Sequence, residues 1–164
     1  KYVFIDFRNG PGKWRYWKLG KIFGRKERFS FWQKGFFYCL NGYSYKKSGY
    51  QKIGYNGSKF YKGHIYVLID EIVQSNTETG CMILKTNPNT IFIGKNTAGA
   101  NGTVAEIQLP FKLISNFSYL KYSYSNGENY QGIGIKPNIE ADISSVNNID
   151  VFKRIIIKYR LYAR

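Results

Sequence analysis

Ser75 is the residue of this sequence whose type and position best suit covalent chemistry. It follows an apolar run, Ile65 to Ile69, and a short turn, and a helix is predicted to begin directly after it. A serine at such a strand-to-helix corner can be an exposed nucleophile, because the amide of Asn76 and the positive helix end can face developing negative charge. The same stretch also fits a capping box, in which the side chains of Ser75 and Glu78 bind free amides at the helix start. From these residues alone the capping box is the simpler interpretation.

The composition indicates one folded domain with a large excess of basic residues. The chain has 164 residues, of which 43% are hydrophobic and 18% aromatic, so it can bury a substantial core. Its 25 basic and 10 acidic side chains give a net charge of +15, a charge that could attract nucleic acid or an anionic surface. We attribute the charge mainly to a chain rich in Lys, Asn, Ile, Tyr and Phe, since helix-turn-helix, zinc-finger and aromatic RNA-binding motifs are missing from the sequence. A basic nucleic-acid-binding domain is therefore a minor alternative, and no nucleic-acid partner is expected.

Cysteine spacing and apolar run length exclude several classes of site. Cys39 and Cys81 lie far apart, and neither has a second cysteine or a histidine cluster close by. This spacing argues against a zinc site and a disulfide scaffold, while a single bridge stays open. No apolar run approaches the ~20 residues of a membrane-spanning helix. We expect no cofactor, no metal and no membrane span.

Hydrophobic periodicity predicts alternating strands and helices, and therefore an α/β fold with a layered core. Strands are predicted at residues 2–6, 65–69, 90–93, 103–109 and 115–123. Helices are predicted at residues 14–23, 76–84 and 150–161. Residues 25–62 are aromatic and rich in glycine, with weak periodicity, so irregular structure with one or two short strands is expected there. Residues 132–139 form a predicted extended segment punctuated by glycines.

Four segments carry a resemblance to a known family. They are Ile5–Gly12, Val67–Glu78, Ile93–Gly102 and Gly132–Ile139, the last with Asn138 in place of an aspartate. In this order and spacing they resemble the C-terminal processing (tail-specific) serine peptidases, including the tricorn-like branch. The resemblance implies a ClpP/crotonase-like layered core of β-β-α units and a polypeptide substrate. It also implies that residues 1–164 are the C-terminal part of a single peptidase catalytic domain whose upstream part is missing.

The same resemblance implies roles for individual residues. Ser75 is the expected nucleophile, and the backbone amides of Asn76 and Gly12 are the expected oxyanion hole. Gly99 and Ala100 lie in a small-residue loop that is expected to run beside bound peptide. A tight loop selected for packing is an equally good interpretation of those two residues.

The general base is the missing part of this site. In serine/lysine members of the family a lysine follows the Thr-x-Gly of the third segment, where this chain has Ala100. Lys95 precedes that loop and is expected to be a solvated lysine at a strand end. His64, the only histidine, opens the strand that leads to the nucleophile, and a six-residue strand spans roughly 20 Å. We therefore expect a histidine base from upstream of this chain, with Gln131 in the place where tricorn-like members have a glutamate.

Two main hypotheses follow from the sequence. The first is a serine endopeptidase or C-terminal processing peptidase that acts through an acyl-enzyme on Ser75, with little activity in residues 1–164 alone. The second is a catalytically inactive relative that binds peptides. A location outside the cytoplasm is suggested by the resemblance only.

Overall fold

The computed structural model describes residues 1–10, 16–23, 29–39, 42–53, 61–102, 104–118, 120–123 and 129–143, together with residues 153, 155 and 157. Two helices are named here, α1 (Trp17–Phe23) and α2 (Asn76–Lys85), and a 3-10 turn covers Pro110–Lys112. The strands are β1 (Tyr2–Asp6), β2 (Phe29–Cys39), β3 (Gly42–Ile53), β4 (His64–Ile69), β5 (Thr90–Gly94), β6 (Val104–Gln108), β7 (Ile114–Ser118), β8 (Leu120–Ser123) and β9 (Ile139–Glu140).

A four-stranded sheet with the order β1-β4-β5-β9 forms the centre of the fold, and all three of its strand pairs are parallel. Strand β4 is its most buried strand, since every residue from Ile65 to Ile69 is buried. A strand covered on both faces is expected to be a continuous run of apolar residues, which is the pattern that predicted this strand from the sequence. The prediction of a central strand at 65–69 is confirmed.

Alternation along β4 divides the core into two layers. Ile65, Val67 and Ile69 belong to one cluster, which includes the buried face of α2 and the side chain of Tyr16. Tyr66 and Leu68 belong to the other, which also contains Ile93, Ile143 and Ile155. A parallel sheet with apolar layers on both faces is the layered α/β fold that the sequence predicts.

The prediction for residues 25–62 is wrong in part. Strands β2 and β3 have 11 and 12 residues and pair antiparallel, and β8 adds to β2 to complete a three-stranded sheet. The register shifts between Trp32 and Gln33. A shift of this kind breaks the period-two alternation from which strands are predicted, so the segment has little periodicity in sequence.

The single strand predicted at 115–123 is two strands in different sheets. Strand β7 pairs with β6, whereas β8 pairs with β2. The β6–β7 hairpin exposes apolar side chains along its length, and Phe111 at its tip is 94% exposed with a φ of 63°. Both strands continue the same sequence pattern, so the sequence does not indicate that they belong to different sheets.

The predicted terminal helices fall only partly on described residues. Helix α1 begins at Trp17, three residues later than predicted, and Tyr16 lies in a turn before it. Most of the predicted helix at 150–161 lies outside the described residues, although residues 153, 155 and 157 are helical. Within the described part of the chain, each helix is too short or too polar to cross a bilayer.

Candidate active site

The turn after β4 is held by one buried carboxylate. Asp70 Oδ1 accepts hydrogen bonds from the amides of Ile72 (3.1 Å) and Val73 (3.0 Å), and Oδ2 accepts one from the amide of Asn9 (2.9 Å). These bonds fix the chain between β4 and α2 and tie it to the turn that follows β1. Because the carboxyl ends of parallel strands meet at one sheet edge, the residues after β1, β4 and β5 come together here.

Ser75 has an unusual backbone conformation at the start of α2. Its φ is 53° and its ψ is −126°, although it is not a glycine, and its side chain makes no capping hydrogen bond. The serine half of the predicted capping box is therefore wrong. Strain of this kind persists only where the surroundings enforce it, and it is typical of a nucleophile on a sharp turn from a strand into a helix. The residue is half-buried, so its hydroxyl is free of the cap and near the surface.

A loop after β5 runs directly beside this turn. The Ser75 amide donates a hydrogen bond to the Ala100 carbonyl (2.8 Å), and the Ala98 amide donates one to the Val73 carbonyl (2.9 Å). The structure thus brings Ser75 and Ala100, two predicted site residues, into backbone contact. Their side chains are respectively a hydroxyl and a methyl group, so this pair contains no proton acceptor comparable to a lysine amine.

Gly99 is the point where the closing segment crosses the loop. Its φ is +68°, and a Cβ built on it would lie 2.7 Å from the Gly134 nitrogen and 2.8 Å from the Ile133 nitrogen. Its carbonyl accepts a hydrogen bond from the Gly132 amide (2.7 Å). Close packing and a left-handed backbone therefore require a glycine at this position.

Glu78 connects α2 to the same loop, which the sequence did not indicate. The side chain is 0% exposed. Its Oε1 atom accepts hydrogen bonds from the Thr97 hydroxyl (2.5 Å) and the Gly99 amide (2.7 Å). Burial raises the pKa of Glu78 above its ordinary value, although the Thr97 hydroxyl and nearby amides act in the opposite direction. The second half of the predicted capping box is thus replaced mainly by contacts to residues that are distant in sequence.

The turn after β1 lies beside the first turn of α2. The Thr77 hydroxyl donates a hydrogen bond to the Gly10 carbonyl (3.4 Å), and it lies 2.9 Å from the Tyr16 hydroxyl. Asn76 is the first residue of α2 and is exposed. Gly12, the other predicted oxyanion donor, lies outside the described residues.

A comparison with protein families identifies the family of this chain. The family model of peptidase family S41 matches residues 23–141. The chain belongs to peptidase family S41. The resemblance to C-terminal processing peptidases that four sequence segments predicted is confirmed. No curated protein sequence matches this S41 chain.

Solved structures show the same fold. A protein from Parabacteroides merdae assigned as a peptidase matches with a TM-score of 0.69 and 16% identity, over 99% of this chain and 51% of its own. The photosystem II D1 C-terminal processing protease matches with a TM-score of 0.64 and 16% identity, over 92% and 37%. Tricorn protease matches with a TM-score of 0.54 and 15% identity, over 96% and 15%. The S41 chain therefore spans about half the length of the first of these structures and less of the others.

Two basic side chains of the S41 chain are poorly suited to act as the base. His64 is the first residue of β4, where it pairs with Tyr2 and its ring stacks on Tyr66 (6.2 Å between centroids), so it lies at the opposite end of the strand from the turn that leads to Ser75. Lys95 Nζ lies 3.2 Å from Glu71 Oε1. The hydrogen bond to Glu71 raises the pKa of Lys95, which keeps its ammonium protonated.

Gln131 lies close to this part of the site. It directly precedes Gly132, whose amide binds the Gly99 carbonyl. Its Oε1 atom is buried and has no hydrogen-bond partner among the described residues. A neutral amide oxygen in this place can accept a hydrogen bond but supplies no negative charge to a neighbouring base.

Proposed function

We propose that this S41 chain is the part of a serine peptidase that carries the nucleophile, Ser75, and that it hydrolyses polypeptides. The observation that carries the proposal is the backbone of Ser75, with a φ of 53° on a non-glycine residue at the start of α2. Strain of about 1–3 kcal/mol is retained only where the surrounding structure enforces it, and such sites are concentrated where function requires them. A serine needed only as a helix cap would use its hydroxyl in the cap, and this one does not.

The reaction proceeds in two steps. In the first, a base takes the proton from Ser75 Oγ as Oγ bonds to the carbonyl carbon of the peptide, and the carbon–nitrogen bond breaks with transfer of that proton to the leaving amine. In the second, the base takes a proton from water as the water oxygen bonds to the acyl carbon, the bond between Oγ and carbon breaks with return of that proton to Oγ, and a new carboxyl group is released. Both steps pass through an oxyanion that needs hydrogen-bond donors.

The oxyanion donors that we propose are the backbone amides of Asn76 and Gly12. Asn76 opens α2, where the positive helix end faces the nucleophile. Gly12 lies two residues beyond Gly10, whose carbonyl accepts a hydrogen bond from Thr77, the second residue of α2. The loss of one such donor typically lowers the rate about 100-fold or more.

The general base, in this proposal, comes from upstream of this chain. Three observations support it: Ala100 stands beside Ser75 in place of a lysine, Lys95 is paired with Glu71, and His64 lies at the far end of β4. Residues 1–164 are then the C-terminal part of a single catalytic domain. Gly99 and Ala100 flank the substrate backbone in this arrangement.

A fluorophosphonate probe on the full-length polypeptide tests the proposal. We expect covalent labelling of Ser75, complete loss of labelling in Ser75→Ala, and unchanged labelling in Ser115→Ala, a matched control on the exposed strand β7. A folded full-length protein that remains unlabelled would refute the peptidase function.

The neutral Gln131 side chain favours a second candidate, an inactive relative that binds peptides. The buried Oε1 atom of this residue supplies no countercharge for a histidine base. This function predicts that a folded protein that does not react with fluorophosphonate still binds extended polypeptides, which isothermal titration calorimetry measures. Cleavage of the same polypeptides would exclude it.

A further inference from the structure

Glu78 is a fully buried carboxyl group beside the turn of the proposed nucleophile, Ser75. It lies in the first turn of α2, three residues after Ser75, and none of its surface is exposed. Its Oε1 atom accepts two hydrogen bonds, from Thr97 and Gly99, and its Oε2 atom has no hydrogen-bond partner among the described residues. A buried acid with one unpaired oxygen is costly, so the position needs a physical explanation.

The contacts of Glu78 continue to the backbone of the nucleophile. Thr97 and Gly99, which bind its carboxyl group, lie within three residues of Ala100. The Ala100 carbonyl in turn accepts the hydrogen bond from the Ser75 amide (2.8 Å). The loop is therefore fixed to α2 by Glu78 on one side and to the nucleophile by Ala100 on the other.

The Thr97 hydroxyl extends this connection to the closing segment. It accepts a hydrogen bond from the Ile135 amide (2.7 Å) and donates its own hydrogen to Glu78 Oε1 (2.5 Å). The Thr97 amide also donates to the Ile135 carbonyl (3.2 Å). The closing segment is thus linked to the Glu78 carboxyl group through the Thr97 hydroxyl.

We propose that Glu78 is a positioning residue for the nucleophile: its Oε1 atom fixes the 97–100 loop, and the Ala100 carbonyl of that loop holds Ser75 in its strained conformation. The inference rests on the proposed role of Ser75 in the reaction. Glu78 itself touches neither substrate nor reacting atoms. It acts through Thr97, Gly99 and the backbone of Ala100.

The role requires an acceptor oxygen and no negative charge. Among the described residues no lysine, arginine or histidine forms an ion pair with Glu78. The groups on its Oε1 atom are a hydroxyl and an amide, which a glutamine oxygen binds equally well. Glu78→Gln is therefore a conservative variant at this position, whereas Glu78→Ala removes the acceptor.

Amide hydrogen exchange in the full-length polypeptide tests the positioning directly and without reference to activity. We expect the Ser75 and Gly99 amides to be protected in the wild type and in Glu78→Gln, and to exchange about tenfold faster or more in Glu78→Ala. In the alanine variant the Gly99 amide loses its acceptor, Glu78 Oε1, and the Ser75 amide loses the support of its acceptor, the Ala100 carbonyl. Leu84→Ala, at a buried position near the other end of the same helix, controls for lost stability. It is expected to lower the unfolding midpoint and to leave exchange at these two amides under native conditions close to wild type.

Fluorophosphonate labelling of the same variants is the functional measurement. Labelling of Glu78→Gln should stay within about threefold of wild type, and that of folded Glu78→Ala should fall about tenfold or more. If the Ser75 amide of the wild type is protected from exchange but the wild type is not labelled, the peptidase function is refuted and the positioning role stands. If folded Glu78→Ala exchanges its Ser75 amide and is labelled at the same rates as the wild type, the positioning role is refuted.

Thr97 provides a second pair of variants if Glu78→Ala does not fold. Thr97→Val keeps the shape of the side chain and removes the hydroxyl that binds Glu78, whereas Thr97→Ser keeps the hydroxyl. We expect faster exchange at the Ser75 amide and slower labelling in the valine variant only. Equal behaviour of the two variants would overturn the proposal.

Discussion

The Ser75 amide donates a hydrogen bond of 2.8 Å to the carbonyl of Ala100. This contact joins the turn of the proposed nucleophile to the loop in which serine/lysine relatives are expected to carry their catalytic lysine. It accounts for two features of the site at once. It helps to enforce a backbone conformation at Ser75 that few non-glycine residues adopt, and it places a methyl group where a base would be required.

The strain at Ser75 predicts a trade-off between stability and activity. Ser75→Gly should be more stable than Ser75→Ala by about 1 kcal/mol, because glycine adopts a positive φ without steric cost while alanine keeps the strain. Both variants lack the hydroxyl and should be unlabelled by fluorophosphonate. Urea denaturation compares the two free energies of unfolding, and an alanine variant as stable as the glycine variant would contradict the strain.

The two basic residues of this chain that were considered as bases should be dispensable for labelling. His64→Gln and Lys95→Met in the full-length polypeptide are expected to label at rates within about threefold of wild type, since His64 lies at the far end of β4 and the ammonium of Lys95 is paired with Glu71. The measurement is the second-order rate constant of Ser75 labelling. A loss of about 100-fold or more in either folded variant would identify that residue as the base and remove the argument for an upstream one.

Gly80 is predicted to be required by packing. A Cβ at this position would lie 2.3 Å from Tyr16 Cδ1 in the buried core, so Gly80→Ala should lower the free energy of unfolding by about 1–3 kcal/mol. Gly132→Ala is the control, since a Cβ there meets nothing within 4 Å although the φ is +79°. Its cost should be limited to about 1 kcal/mol of backbone strain. Chemical denaturation measures both, and equal costs would show that the Tyr16 ring moves aside.

The burial of Glu78 predicts a pH-dependent stability difference between wild type and Glu78→Gln. Because burial raises the pKa of Glu78 in the folded state, the folded protein binds the proton more tightly than the unfolded chain. The stabilisation from this group is complete below its unfolded pKa and is lost as the pH rises through the folded pKa. The glutamine variant lacks this loss, so its stability relative to wild type should increase as the pH rises above the ordinary titration range of a glutamate and through the raised pKa of the folded state.

Denaturation curves at several pH values measure this difference. The titratable neighbour that shares the helix is Cys81, and burial, followed by the charge of Glu78, raises the pKa of its thiol, which keeps it neutral. Cys81 therefore adds no competing change in the acidic and neutral range. A difference between the two proteins that is independent of pH would show that Glu78 has similar pKa values in the folded and unfolded states.

Several parts of the fold and site were determined by the sequence alone, because their causes are local. The apolar run of β4, the turn after it and the helical pattern from Asn76 predict a strand-to-helix corner, and the structure has one there. The same local reasoning predicted a capping box at Ser75. The serine half of that prediction was wrong, because the backbone of Ser75 is set by a loop 25 residues further along the chain, through the Ala100 carbonyl.

Tertiary structure decided the partners of the site residues. Which hydroxyl and which amide meet the carboxyl group of Glu78 depends on how β5 places the 97–100 loop against α2, and no pattern within either segment specifies that. The long β2–β3 hairpin was missed for a related reason, since pairing across a register shift is a property of two strands together. Short-range patterns thus determine where strands and helices begin, whereas the conformation and surroundings of Ser75 are determined by contacts between distant segments.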